Sequence, residues 1–79
     1  MVSIKILGSG CSKCKTLNAK IKTLIAKHNI SATVIKVEDI MEIVNYGILS
    51  TPGLVINEKI KSAGKVPSDE QILTWINEG

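Results

Sequence analysis

Gly8-Ser9-Gly10-Cys11-Ser12-Lys13-Cys14 is the stretch on which the fold turns. It joins an apolar alternating run, Val2–Leu7, to a helical pattern that begins near Lys13, and it holds the chain's two cysteines. Thiols three positions apart at a strand-to-helix turn can close a small disulfide, bind a soft metal or pack as inert hydrophobes. In a reducing compartment, beside a β-α-β pattern, the spacing points to redox chemistry. A cysteine at or near the N-cap of a helix meets unpaired backbone N–H groups and the positive end of the helix dipole, and both favour the thiolate of Cys11. Lys13 and Lys15 add positive charge nearby. Cys14, one turn later, falls on the apolar face with Leu17 and Ile21. The asymmetry makes Cys11 the attacking thiolate and Cys14 the resolving thiol.

Upstream, Val2, Ile4 and Ile6 alternate with Ser3, Lys5 and Leu7, a strand of period two. Gly8 and Gly10 bracket the turn and leave space around Cys11 for a partner's chain. Downstream, Cys14, Leu17, Ile21, Leu24 and Ile25 form one face of a helix that runs to about residue 29. Lys13, Lys15, Lys20, Lys22 and Lys27 flank that face and read as a solvated surface, the alternative being a docking patch for acidic partners. His28 lies roughly 25 Å along the helix from Cys11 at ~1.5 Å per residue, which excludes a thiolate–imidazole pair; it is expected near the helix's C-terminal carbonyls.

Ala32–Val37, rich in β-branched residues, predicts a second strand parallel to the first. Lys5 and Lys36 are unusual in strands covered on both faces and imply that the helical cover is incomplete. Asp39 with Glu42 predicts a short helix from 40 to about 46, stopped by Gly47. Thr51-Pro52-Gly53 leads into a strand at 54–56, where a proline at the strand's start removes no ladder donor. Asn57-Glu58 then turns into Lys59–Ala63, a hairpin, and Gly64 and Pro67 end it. Ser68 and Gln71 predict a capping box for a last helix, 68 to about 77, that buries Ile72, Leu73, Trp75 and Ile76.

With 79 residues the chain is expected to form a single domain, 1–79. Its 10 basic residues are all lysines, set against seven acids for a net charge of +3, and Tyr46 and Trp75 are its aromatics. Without arginine or stacked aromatics, nucleic-acid readout is not expected. Ser3 and Lys5 interrupt the first apolar run, so no signal peptide is predicted, and no stretch is long enough to span a membrane. The expected location is cytoplasmic, where a disulfide is transient and catalytic rather than structural.

The order strand, helix, strand, helix, hairpin, helix, with Cys11-Ser12-Lys13-Cys14 opening the first helix and Thr51-Pro52 before the third strand, resembles the thioredoxin-like fold. Within it the chain looks most like the minimal thioredoxins of archaea and bacteria, also described as glutaredoxin-like small redox-active disulfide proteins. The resemblance implies an α/β fold, β-α-β-α-β-β-α, with a four-stranded mixed sheet flanked by three helices. It implies a cis Thr51-Pro52 bond, a backbone at Thr51 offered to an extended partner peptide, and a substrate surface shared by Gly10, Ser12, Lys13, Thr51 and Pro52 around Cys11 and Cys14. The implied activity is thiol–disulfide oxidoreduction through a reversible Cys11–Cys14 disulfide, with no other cofactor and no metal. Disulfide-containing proteins would be the substrates and a thioredoxin-reductase-like protein the electron donor.

The chain departs from the family's pattern in two places. Gly10 stands where typical thioredoxins carry tryptophan, and Ser12-Lys13 separates the cysteines, so no reduction potential is carried over. Gly64, followed by Lys65, Ser68 and Asp69, lacks the glycine pair by which glutaredoxins hold glutathione, which argues against glutathione as a partner. The alternative is a soft-metal (copper) carrier, since small copper chaperones also place C-x-x-C between a first strand and helix. Those domains end in a strand, whereas Ser68 and Gln71 predict a helix. A binding module whose cysteines matter little is a third reading.

Overall fold

Ile4 and Ile6 point to one side of strand β1 (Val2–Leu7) and Leu7 to the other, as the alternation requires. The computed structural model describes residues 2–8, 12–48 and 50–78. After β1 come helix α1 (Ser12–Lys27), strand β2 (Ala32–Val37), helix α2 (Ile40–Asn45), strands β3 (Gly53–Ile56) and β4 (Lys59–Ala63), and helix α3 (Asp69–Glu78). The sheet order is β2-β1-β3-β4; β1 pairs parallel with β2 and antiparallel with β3, and β4 lies antiparallel at the edge. This is the β-α-β-α-β-β-α architecture that the resemblance implied.

The two faces of the sheet are covered unequally. On one, Ile4, Ile6, Leu54 and Ile56 pack against Leu17, Ile21 and Leu24 of α1 and Ile72 and Ile76 of α3. On the other, Leu7, Val37 and Val55 meet Ile43 of α2 and Ile48. Each fully buried leucine or isoleucine is worth about 1.5–3 kcal/mol, so the α1–α3 face supplies most of the hydrophobic stabilisation. Trp75 is half-buried and packs at the margin of that core, as expected of it.

Lys5 lies where the cover of α2 runs out. Its ammonium donates to Glu58 Oε1 at 2.7 Å and to the Tyr46 hydroxyl at 2.9 Å, and it stands 5.7 Å from the centroid of the Tyr46 ring. Lys36 is exposed on edge strand β2. Both strand lysines thus mark gaps in the helical layer.

Local chemistry sets the boundaries. Asn29 takes φ 55°, and the Ile30 N–H closes on the Ile25 carbonyl at 3.0 Å, a Schellman-type end that stops α1 at Lys27, slightly before residue 29. His28 is exposed just beyond. The Met41 N–H donates to Asp39 Oδ1 at 2.8 Å and caps α2, and the Gln71 N–H donates to Ser68 Oγ at 3.2 Å and caps α3. Asn57 and Glu58 both have positive φ, 51° and 67°, the pattern of a type I′ hairpin turn. Lys20 corrects the reading of the α1 lysines as a solvated flank. Its ammonium donates to the Pro67 carbonyl at 2.8 Å and lies 3.4 Å from Asp69 Oδ1, because the flank that carries it is the one on which α3 begins.

Candidate functional site

β1 delivers the chain to Gly8, which is buried at φ +135° with its N–H bonded to the Val37 carbonyl at 2.9 Å. That bond prolongs the β1–β2 ladder by one residue and fixes the level at which the chain leaves the sheet. α1 then returns over the sheet with Cys14 facing inward, 4% exposed and disulfide-bonded. From the other side comes the segment before β3, where the Thr51–Pro52 peptide bond is cis.

These pieces converge on Gly8. A Cβ built there would lie 2.7 Å from Cys14 Sγ, 3.0 Å from Thr51 Cβ and 3.3 Å from Thr51 Cγ2. The sulfur of α1 and the threonine before β3 therefore both close on the bare backbone of Gly8. Pro52 is buried and Thr51 exposed, so the proline anchors the strip and the threonine presents it. The Pro52 carbonyl accepts the Gly64 N–H at 2.9 Å, which pins the strip to the end of β4. Gly64 has φ +79°, and a Cβ there would lie 2.9 Å from Ser50 Cβ. Two glycines thus make the room that the strip occupies.

Of the residues that the sequence nominated, Cys14, Thr51 and Pro52 come together at this point. Ser12 and Lys13 occupy the exposed first turn of α1, where the Ser12 carbonyl accepts the Thr16 hydroxyl at 3.0 Å. Gly10 and Cys11 lie outside the described residues. Gly8 is the residue that the sequence reading under-weighted. Its burial against the cysteine sulfur has no signal in the sequence beyond its place at the end of β1.

The clearest electrostatic perturbation lies elsewhere, around Lys5. Hydrogen bonds to Glu58 and Tyr46 hold the Lys5 ammonium well above the ordinary lysine range, and the bond from Lys5 holds the Glu58 carboxyl below its ordinary value. A groove of about 460 Å³ beside α2, lined by Lys5, Ile35, Val37, Glu42, Asn45 and Tyr46, is separate from the sulfur. Among the described residues no helix is long and apolar enough to cross a membrane.

The C-terminal segment is helix α3, not the closing strand of small copper carriers, so the copper reading loses the fold on which it depended. The model of the Thioredoxin domain family matches residues 2–77. Over 72 residues the chain is 38% identical to a thioredoxin of Methanocaldococcus jannaschii, covering 91% of this chain and 83% of that one. Over 72 residues it is 31% identical to a thioredoxin of Methanothermobacter thermautotrophicus, covering 91% and 94%. Among solved structures, the germline-specific thioredoxin Deadhead of Drosophila melanogaster superposes with a TM-score of 0.68 at 17% identity, covering 98% of this chain and 79% of that one. Thioredoxin-2 of the malaria parasite gives a TM-score of 0.75 at 13% identity, covering 100% and 84%. These two likenesses concern the fold.

Proposed function

We propose, from the premise that this chain belongs to the thioredoxin family, that Cys11 and Cys14 form its reversible disulfide and divide the work of exchange between them. The chain is a thiol–disulfide oxidoreductase. In this reading the Cys11 thiolate attacks one sulfur of a partner disulfide, and the partner's other sulfur leaves as a thiolate and takes a proton. Cys14 then gives up its proton and attacks the Cys11 sulfur of the mixed disulfide, and the partner's second sulfur leaves and takes a proton. The partner departs as a dithiol, and its two electrons have come from the Cys11–Cys14 pair, now a disulfide. A thioredoxin-reductase-like donor returns the pair to the dithiol.

The supporting observation is the approach of Cys14 Sγ and Thr51 to the same bare backbone at Gly8, at 2.7 Å and 3.0 Å from its would-be Cβ. It supports a reading in which Cys14, as the resolving sulfur, lies beside the Thr51–Pro52 strip, an extended segment of a disulfide-containing protein lies along that strip, and Gly10, Ser12 and Lys13 complete the surface. Glutathione is not part of this reading, because Gly64 serves the Pro52 carbonyl and no second glycine follows it. The location is cytoplasmic, and no metal or further cofactor takes part.

Two serine variants test the assignment. Cys14→Ser is expected to accumulate long-lived mixed disulfides with protein partners, since attack proceeds and resolution does not. Cys11→Ser is expected to trap almost none. Equal trapping by both, or faster alkylation of Cys14 than of Cys11 at neutral pH, reverses the roles.

A further inference from the structure

Among the described residues, the side-chain atom left buried without a hydrogen-bond partner is Oδ1 of Asn18. Native proteins leave few such atoms, and an acceptor closed off from water without a donor costs about 1–3 kcal/mol. Its position suggests why it is kept. Asn18 stands four residues after Cys14 on α1, so the two side chains are neighbours on one face, with Cβ atoms about 5–6 Å apart. Every Cα–Cβ bond of a helix leans toward its N-terminus, which for Asn18 is toward Cys14.

Cys14 is buried and disulfide-bonded, so its sulfur carries no proton to donate. Reduction changes that. A dithiol supplies two electrons and two protons and becomes a disulfide itself; the S–S bond of this protein breaks, Cys14 ends as S–H, and Cys11 ends as a thiolate with the second proton released to solvent. Cys14 then carries an S–H, a donor to which water has little access. One helical turn away is an acceptor that has no donor.

We propose that Asn18 is a positioning residue for the exchange reaction: its Oδ1 accepts the Cys14 S–H in the dithiol state, a hydrogen bond that the disulfide state cannot make. This rests on the reading of Cys14 as half of the redox-active pair. The bond stabilises the dithiol and fixes the direction of the Cys14 proton between rounds of exchange. The unpaired oxygen of the disulfide state is then a cost carried by one redox state and removed in the other.

Asn18→Leu removes the acceptor and keeps the approximate volume. Equilibrated against dithiothreitol buffers, the variant is expected to shift three- to tenfold toward the disulfide, about 15–30 mV for a two-electron couple. In urea, its disulfide form is expected to be as stable as the parent or more so, and its dithiol form less stable. An unchanged equilibrium constant, or an equal stability change in both redox forms, overturns the proposal, because a merely structural asparagine would move both forms together. Should the variant not fold, the parent protein decides: the Asn18 side-chain carbonyl carbon is expected to shift downfield in NMR on reduction, and no shift overturns the hydrogen bond. A parent protein whose cysteines do not titrate as a couple overturns the cysteine assignment as well. A normal parent couple with an unaltered variant overturns only the role of Asn18.

Discussion

Gly8 and Cys14 are packed so closely that no side chain fits between backbone and sulfur: a Cβ on Gly8 would sit 2.7 Å from Cys14 Sγ. The φ of +135° at Gly8 is also one that residues with a Cβ rarely adopt. Gly8→Ala is therefore expected to destabilise the fold by about 1–3 kcal/mol and to slow disulfide exchange. Urea midpoints of the oxidised and reduced protein measure the first effect, and reduction of a protein disulfide measures the second. Unchanged midpoints would mean that the sulfur can retreat without loss.

Gly64 supports the same site from the far side. Its φ of +79° and the 2.9 Å approach to Ser50 Cβ predict that Gly64→Ala displaces residues 50–52 while leaving the α1–α3 core in place. A stability loss of about 1 kcal/mol or somewhat more is expected. The rate of exchange should fall further than that loss explains. A variant destabilised to this extent but fully active would separate the strip from catalysis.

The Lys5–Glu58 pair predicts how stability follows pH. Glu58 has its carboxyl held below the ordinary 4.5, so its contribution is present above that value and fades as acid protonates the folded form. Lys5 is held above its ordinary 10.5, so its contribution is complete below that value and fades only in stronger alkali. The pair stabilises across the range between. Glu58→Gln is expected to flatten the acid limb of a stability-against-pH curve, by a small amount, because Glu58 is largely exposed to solvent. Parallel acid limbs for parent and variant would assign the acid sensitivity to other groups.

Ser68 accepts the Gln71 N–H at the start of α3. Ser68→Ala is expected to cost about 1 kcal/mol, read as a lower thermal midpoint with the exchange rate unaltered. A change in rate at constant stability would connect α3 to the site in a way that the packing does not suggest.

Periodicity made most of the fold legible. Ile4 and Ile6, then Leu17 and Ile21, then Ile72 and Ile76 declare their faces by spacing, and these are the residues that meet in the larger core. Asn57-Glu58 was readable as a turn but not as one stabilised from outside itself. There the Asn57 side chain accepts the Ser3 N–H at 3.0 Å and the Glu58 carboxylate meets Lys5, both contacts with a strand more than fifty residues earlier. The register shift between Leu54 and Val55, which face Ser62 and Ile60, is likewise invisible in a strand pattern. At the site, Thr51-Pro52 was recognisable through family likeness and Cys14 through its spacing. The burial of Gly8 depends on what α1 and the segment before β3 bring to it, and no local pattern carries that.

The short helix α2 has a further consequence, for how the molecule breathes. Its six residues span about 9 Å, and they bury Ile43 while leaving Ile40, Met41 and Val44 exposed at 73%, 68% and 54%. Little apolar area opposes its detachment, so its amides are expected to exchange with solvent hydrogen sooner than those of α1 or α3. Such an opening wets Leu7 and Val55 from below, yet Cys14 is carried by α1, whose Leu17, Ile21 and Leu24 pack in the core on the opposite face. The protein can fluctuate on one side of its sheet while the sulfur keeps its place on the other.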